Sequence, residues 1–331
     1  MKRDVVLITG ASAGVGRATA REFARQGAYI GLVARGLEGL EAAKREVDAL
    51  GGRGLIIPTD VSDPEQVESA AQLVESAFGP IDVWVNNAME TVMSPFLEMT
   101  VDEFRRVTEV TYLGYVNGTR TALKSMLPRD KGVIIQVGSS LAYRAIPFQS
   151  AYSGAKHAIR GFTDALRSEL IHKKSRVRLT MVQLPAVNTP QFSWCKSRLP
   201  RKPRPVPPIY QPEVPARAIV WLARHPRREL FVGMSTVIAI WGNKVFPALG
   251  DWVLGKRGWQ AQQYNGPADP DRPHYLWLPL PGDHGAHGEF DERSRSQSLE
   301  LRMATHRGWT VFFAAAASAF ALLSMCRKRR G

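Results

Sequence analysis

Residues Val5–Arg17 read VVLITGASAGVGR, a run of β-branched and apolar residues that passes through three glycines into a helical pattern. An apolar run this short reads as a buried strand, and glycines at its end let the backbone turn sharply and approach a bound group closely. A helix that starts straight after such a turn offers unpaired N–H groups and the positive end of its dipole, which suits a pyrophosphate. Gly10, Ser12, Gly14, Val15 and Gly16 are therefore candidate cofactor-binding positions. Outward from this turn, similar runs follow at Tyr29–Ala34, Leu55–Pro58, Ile81–Val85, Val133–Val137, Val177–Gln183 and Leu230–Val232, separated by amphipathic stretches. Apolar strands alternating with helices predict an α/β fold, a doubly wound and mostly parallel seven-stranded sheet with helices on both faces. No repeat of solenoid length interrupts this rhythm.

In a fold that binds a dinucleotide, the end of the second strand meets the adenosine ribose, and a carboxylate there selects NAD(H). Ala34-Arg35 fills that place. With no carboxylate to repel a 2′-phosphate and a guanidinium to pair with it, NADP(H) is expected over NAD(H). Asp60 and Val61, at the end of the third strand, are placed to meet the adenine edge, and Asn86-Asn87-Ala88 follows the fourth. Beyond the fifth come Ser139, then Tyr152, then Lys156 one helical turn after Tyr152, on the same helix face. A free phenol titrates near pH 10. A neighbouring ammonium is expected to lower that value and make Tyr152 a usable proton donor or acceptor.

The glycine turn, Asn-Asn-Ala, the serine and the Tyr-x-x-x-Lys pair in this order resemble the short-chain dehydrogenase/reductase family over roughly residues 1–235. The resemblance implies a Rossmann fold and an NADP-preferring oxidoreductase acting on alcohol and carbonyl groups. It also implies that Ser139 bonds the substrate oxygen, that Tyr152 transfers the proton, and that Lys156 holds the nicotinamide ribose and tunes Tyr152. Asn87, Ala88, Pro185 and Thr189 would line the cofactor, with Pro185 and Thr189 beside the nicotinamide amide. Three positions depart from the family pattern: Met89 and Ala186 replace glycines, and Thr111 stands where the family has an asparagine that holds a water in the proton path from Lys156. If Met89 and Thr111 mark decay of the site, the alternative is a non-catalytic, membrane-tethered NADP(H)-binding sensor or scaffold. A homodimer or tetramer is a further expectation from the resemblance.

The chain has 331 residues, 44% of them hydrophobic, and a formal net charge of +14. That is enough to bury a large core and excludes a disordered or peptide-scale chain. The charge is uneven: residues 1–190 carry 23 cations against 20 anions, and residues 191–331 carry 21 against 10. The basic runs lack interleaved aromatics, so no nucleic-acid partner is expected. Two distant cysteines, Cys195 and Cys326, make neither a disulfide framework nor a metal cluster.

Residues 1–240 are expected to form the cofactor-binding catalytic domain. Within it 190–215, with seven prolines in its last sixteen residues, reads as an extended lid over the substrate. Met93, Phe148, Phe192 and Trp194 are candidates for an apolar pocket, so the expected substrate is a hydrophobic carbonyl or alcohol. Residues 241–262 form a Trp-rich apolar extension that could pack on the core or lie at a membrane surface, and 263–308 read as a polar linker. The apolar stretch 309–326 has fifteen apolar residues of eighteen and no charge, and a basic terminus follows at 327–331. At about 1.5 Å per residue it reaches roughly 27 Å, near the thickness of a hydrocarbon core. A single-pass tail anchor is expected, in contact with membrane lipid, with the catalytic domain cytoplasmic and no signal peptide at the N-terminus.

Overall fold

The computed structural model describes residues 3–269 and 271–306. Seven strands form one sheet: β1 (Val5–Thr9), β2 (Tyr29–Ala34), β3 (Arg53–Pro58), β4 (Val83–Asn86), β5 (Val133–Ser139), β6 (Arg178–Leu184) and β7 (Glu229–Phe231). Their spatial order is β7-β6-β5-β4-β1-β2-β3, and every neighbouring pair is parallel. The order reverses between β1 and β4, and that reversal opens a crevice at the carboxyl ends of the strands.

Both faces of the sheet are covered. Alternate residues of β1 point to opposite sides, Val6 and Ile8 into one core and Val5 and Leu7 into the other. The first core is roofed by α1 (Gly14–Ala24), α2 (Leu37–Ala49) and α7 (Glu213–Arg224). On the other face lie α3 (Pro64–Phe78), α5 (Gly114–Met126) and α6 (Ser150–His172), reached through α4 (Val101–Thr108). The inner strands are mostly apolar because they are buried on both sides, whereas the edge strands β3 and β7 are only partly buried.

The lid is more ordered than its prolines suggest. Lys196–Ser197 pairs with Val92–Met93, Arg201–Pro203 with Gln263–Pro267, and Ile209–Tyr210 lies between Ala186–Val187 and Ser294–Arg295. After β7 the chain forms α8 (Met234–Val245) and α9 (Pro247–Val253) and a wide turn at Leu254–Gly258.

The described residues 263–269 and 271–306 are not a free linker. They run back across the carboxyl end of the sheet as a strap, burying Leu276, Ala286 and Phe290, and end in α10 (Leu299–Thr305) against the first core. Three apolar anchors and many backbone carbonyls taken up by arginines account for the docking of so polar a segment. No helix among the described residues is long and apolar enough to cross a membrane. The tail-anchor stretch 309–326 and the basic terminus lie outside the described residues.

Candidate active site

The β1–α1 turn requires its glycines. Gly10 has φ +68°, and a Cβ on Gly16 would stand 2.1 Å from the Gly10 carbonyl oxygen. The Asn87 segment is stitched to this turn: the Asn87 and Ala88 N–H groups donate to Thr9 Oγ1 at 2.9 and 3.0 Å, and Asn87 Nδ2 donates to the Thr9 carbonyl at 2.9 Å. Thr189, after β6, packs against the open side of Gly14. Asn86 points the other way into the core, where it accepts from Trp84 Nε1 and donates to Gln136 and Thr119.

These segments line a cavity of about 500 Å³ that runs from Gly10, Ser12, Gly14 and Val15, past Arg35, Asp60 and Val61, to Asn87, Ala88, Ser139, Tyr152, Lys156, Pro185 and Thr189. A glycine cradle beside a helix N-terminus at one end and hydroxyl and amine groups at the other is a donor set that fits a nicotinamide dinucleotide. Phe192, Trp194, Val206 and Leu254 extend the walls. Met93 and Phe148 do not line it. They pack with Cys195 and Leu199 in a closed cluster behind the wall, because the pairing of Val92–Met93 with the lid turns Met93 inward.

At the floor, Ser139 ends β5, where its hydroxyl caps the following turn by accepting from the Leu141 N–H at 3.1 Å, and it shares a hydrogen bond with the Tyr152 hydroxyl. Tyr152 and Lys156 sit in the first two turns of α6. Lys156 is buried, 2% exposed, and donates to the Val137 carbonyl at 2.8 Å and to the Tyr115 hydroxyl at 3.1 Å. Its ammonium lies 5.5 Å from the centre of the Tyr152 ring. Burial pushes the Lys156 amine down to about 7. Burial also drives the Tyr152 phenol well above its ordinary value, against a smaller lowering by the Ser139 hydrogen bond. The expected lowering of Tyr152 by its cation does not occur: loss of water on burial raises the phenol, and the influence opposing it is the Ser139 hydrogen bond.

Thr111 does not join this set. It lies in the π-helical turn Glu109–Leu113, and its hydroxyl accepts from the Glu90 N–H and donates to the Glu90 carbonyl, both at 2.9 Å. The hydroxyl beside Lys156 belongs instead to Tyr115, which donates to the Val137 carbonyl at 2.9 Å. A tyrosine one turn after Thr111 on a helix bordering the site was the available signal.

At the far end of the cavity Arg35 is fully engaged. It pairs with buried Glu90 and donates to the strap carbonyls of Tyr275 at 2.6 Å and Trp277 at 3.1 Å. Glu90 has its carboxyl pushed up to about 8, because burial outweighs the nearby Arg35 and Arg106. Asp60 is held below the usual carboxylate range, burial notwithstanding, by hydrogen bonds from Arg106 and Ser62. Val61 is buried under Gly114, where it backs the cavity.

The strap closes this end. The Gly285 carbonyl accepts from the Gly14 N–H at the start of α1 at 3.1 Å, Asp283 pairs with buried Arg17, and the Gly282 N–H donates to Glu38. Tyr275, Pro279, Leu280, Gly282 and His284 are part of the cavity wall. Nothing in the linker-like composition of 263–308 pointed to this, apart from its few isolated apolar residues.

The family model for short chain dehydrogenases matches residues 4–197. An uncharacterized oxidoreductase, YxnA, of Bacillus subtilis is 34% identical over 273 residues, 82% of this chain and 76% of that protein. A 3-dehydrosphinganine reductase of Danio rerio is 34% identical over 65% of this chain and 67% of its own length. Of several further relatives the chain spans 50% to 59%. Among solved structures, an alcohol dehydrogenase of Thermococcus sibiricus complexed with 5-hydroxy-NADP aligns with TM-score 0.60 and 30% identity, covering 70% of this chain and 96% of that one.

Proposed function

The chain belongs to the short-chain dehydrogenase/reductase family, and from that premise we propose that it interconverts a hydrophobic alcohol and its carbonyl with NADP(H), using Tyr152 as the acid/base. The observation that carries the proposal is the Ser139–Tyr152 hydrogen bond at the floor of a glycine-cradled cleft, with Lys156 buried one helical turn on. When bound, the nicotinamide supplies or accepts the hydride at the carbon of the reacting C–O group. The protein's part is position and the proton. Ser139 and Tyr152 present two hydroxyls to one substrate oxygen, and Tyr152 gives up its proton as that oxygen becomes an alcohol, or takes it in the reverse direction.

Lys156 fixes the far side of the pair. The Val137 carbonyl and Tyr115 hold its amine beneath Tyr152, where it would restore the phenol's proton and help hold the ribose of a bound dinucleotide. NADP(H) is preferred on the strength of Arg35, which is drawn to Glu90 and the strap but lies in the cavity wall with no carboxylate at its own position. A hydrophobic substrate agrees with the walls of Phe192, Trp194, Val206 and Leu254 and with the similarity to a 3-dehydrosphinganine reductase. The apolar stretch 309–326 would tether the protein to a membrane.

The test is NADPH oxidation by the full chain against long-chain and aromatic aldehydes and ketones, with Tyr152→Phe alongside. Turnover that is lost in the variant while dinucleotide binding persists supports the assignment. Tight binding without turnover in the native chain favours the sensor reading.

A further inference from the structure

Nine large apolar side chains stand in solvent on the segment that follows the sheet. Ile238 is 65% exposed, Phe246 63%, Trp252 62%, Val245 61%, Leu249 57% and Trp241 55%, with Met234, Val253 and Trp259 beside them. They project from α8, α9 and the turns after them, and a contiguous exposed patch of this kind marks an interaction surface. The segment is fixed to the domain by Ile240, packed on Ala142 and Tyr143, and by Arg144, which bonds Asn243 at 3.0 Å and Asp251 at 2.7 Å. The exposure therefore belongs to a docked surface.

Charge on the patch selects the occupant. Between residues 234 and 262 the one acid is Asp251, already paired with Arg144, while Lys244, Lys256 and Arg257 are exposed around the apolar centre. Lys244 lies 4.7 Å over the Trp241 ring. Arg201 and Lys202 of the lid are exposed on the strand paired with Gln263–Pro267, the segment just after this patch. Two copies brought together through this face would oppose their own basic rims without an unpaired acid in the segment to answer them. An apolar centre rich in tryptophan with a cationic border matches the interfacial zone of an anionic bilayer.

We propose that this face of α8 and α9 rests in the surface of an anionic lipid bilayer and opens the catalytic cavity toward it. The same elements reach the cavity, since Ser235, Ala239 and Leu254 line its wall beside Val206 of the lid. A long-chain carbonyl dissolved in the bilayer then reaches Tyr152 without crossing water. This last step rests on the oxidoreductase reading above; the docking itself does not.

The test places an environment-sensitive NBD label at Leu249→Cys in the full-length chain carrying Cys326→Ser, Cys195 being buried. A control label at Leu73→Cys sits on α3, which packs on the sheet through Val67, Ala70 and Val74, and Leu73 itself is 54% exposed. With vesicles of phosphatidylcholine and phosphatidylglycerol, the label at 249 is expected to shift to the blue and be quenched by brominated lipid, while the label at 73 is unchanged. Co-sedimentation with no change at 249 overturns the docked face and leaves the tail as tether; neither sedimentation nor a shift overturns both. A shift without vesicles, with doubled mass, replaces the bilayer by a second copy. For the substrate route, Trp241→Ser with Trp252→Ser raises KM for a vesicle-borne long-chain ketone and leaves kcat/KM for a short soluble one in place. Equal losses on both overturn the route, and absence of turnover on either in the native chain fails the oxidoreductase reading while the label still reports docking.

Discussion

Leu276 is the anchor that holds the strap beside the catalytic tyrosine candidate. It is fully buried with Val92, Met99, Val107 and Ala151, in a cluster against which Tyr152 also packs. Leu276→Ala removes buried methyl groups and leaves a cavity, at a cost of about 3 kcal/mol at such a site. If the strap opens as a unit while the sheet stays folded, that cost falls on the closed state alone, and the open population rises roughly a hundredfold, at 1.4 kcal/mol per tenfold. Hydrogen exchange by mass spectrometry reads this directly. The amides of Gly282, Gly288 and Phe290, which donate to Glu38, the Asn188 carbonyl and Asn188 Oδ1, should exchange about a hundredfold faster, and the Gly14 amide that bonds Gly285 should follow. Amides of β1 and β5 should not change. A uniform acceleration across strap and sheet would show that the strap opens only on global unfolding, and the reasoning would fail.

Gly16→Ala places its Cβ against the Gly10 carbonyl, a backbone atom that has no rotamer to escape into; loss of dinucleotide binding by titration calorimetry is expected, and retained binding would disprove the cradle. Glu103 is held down at about 2, against its burial, by hydrogen bonds from Arg198, Lys196 and the Thr100 N–H, so it binds the lid to α4. Its folded value is depressed, so the stabilisation is present above pH 4.5 and lost as the pH falls toward 2; Glu103→Gln should flatten the native fall in Tm over that window and expose 196–204 to protease at neutral pH. Lys156 has the opposite sense: its folded value is about 7 against 10.5 for a free lysine, so between those limits the unfolded chain binds more protons and native stability rises with pH. Lys156→Met should abolish that rise in Tm, and an unchanged slope would place the titration elsewhere.

The strands were legible because the inner ones are buried on both faces and so are mostly apolar, while the edge strands Arg53–Pro58 and Glu229–Phe231, only partly buried, keep an apolar centre. Val5–Thr9 and Tyr29–Ala34 stand where their sequence puts them, and the other runs shift at their ends by up to two residues. Ser139, Tyr152 and Lys156 meet because β5 and the first turns of α6 are short-range neighbours joined by one tight connection. Arg35 and Thr111 were legible as positions and not as contacts, since the groups they bond, Glu90 and the carbonyls of Tyr275 and Trp277, lie at distant points of the chain. The strap was illegible for a related reason. Backbone carbonyls accept hydrogen bonds from arginines whatever side chains they carry, so a polar segment rich in glycine and proline gives no sign of docking.

Burial acts on Tyr152 and Lys156 in opposite directions, and both movements lead toward neutral groups. A neutral phenol is the form that can donate, so raising its titration does not disable a proton donor to a carbonyl. It does mean that the work of making a phenolate, needed when an alcohol is oxidised, falls on a lysine whose own charge is costly where it sits. The Val137 carbonyl and the Tyr115 hydroxyl repay part of that cost by accepting from the ammonium. Tyr115 is thus more than packing: it supplies one of the two acceptors that keep a charged Lys156 tenable beneath Tyr152, at the place where Thr111 has turned away to hold Glu90. On the oxidoreductase reading proposed above, the charge state of Lys156, set by those two acceptors and by whatever polar group meets it from the cavity, would govern how readily the Tyr152 phenol ionises.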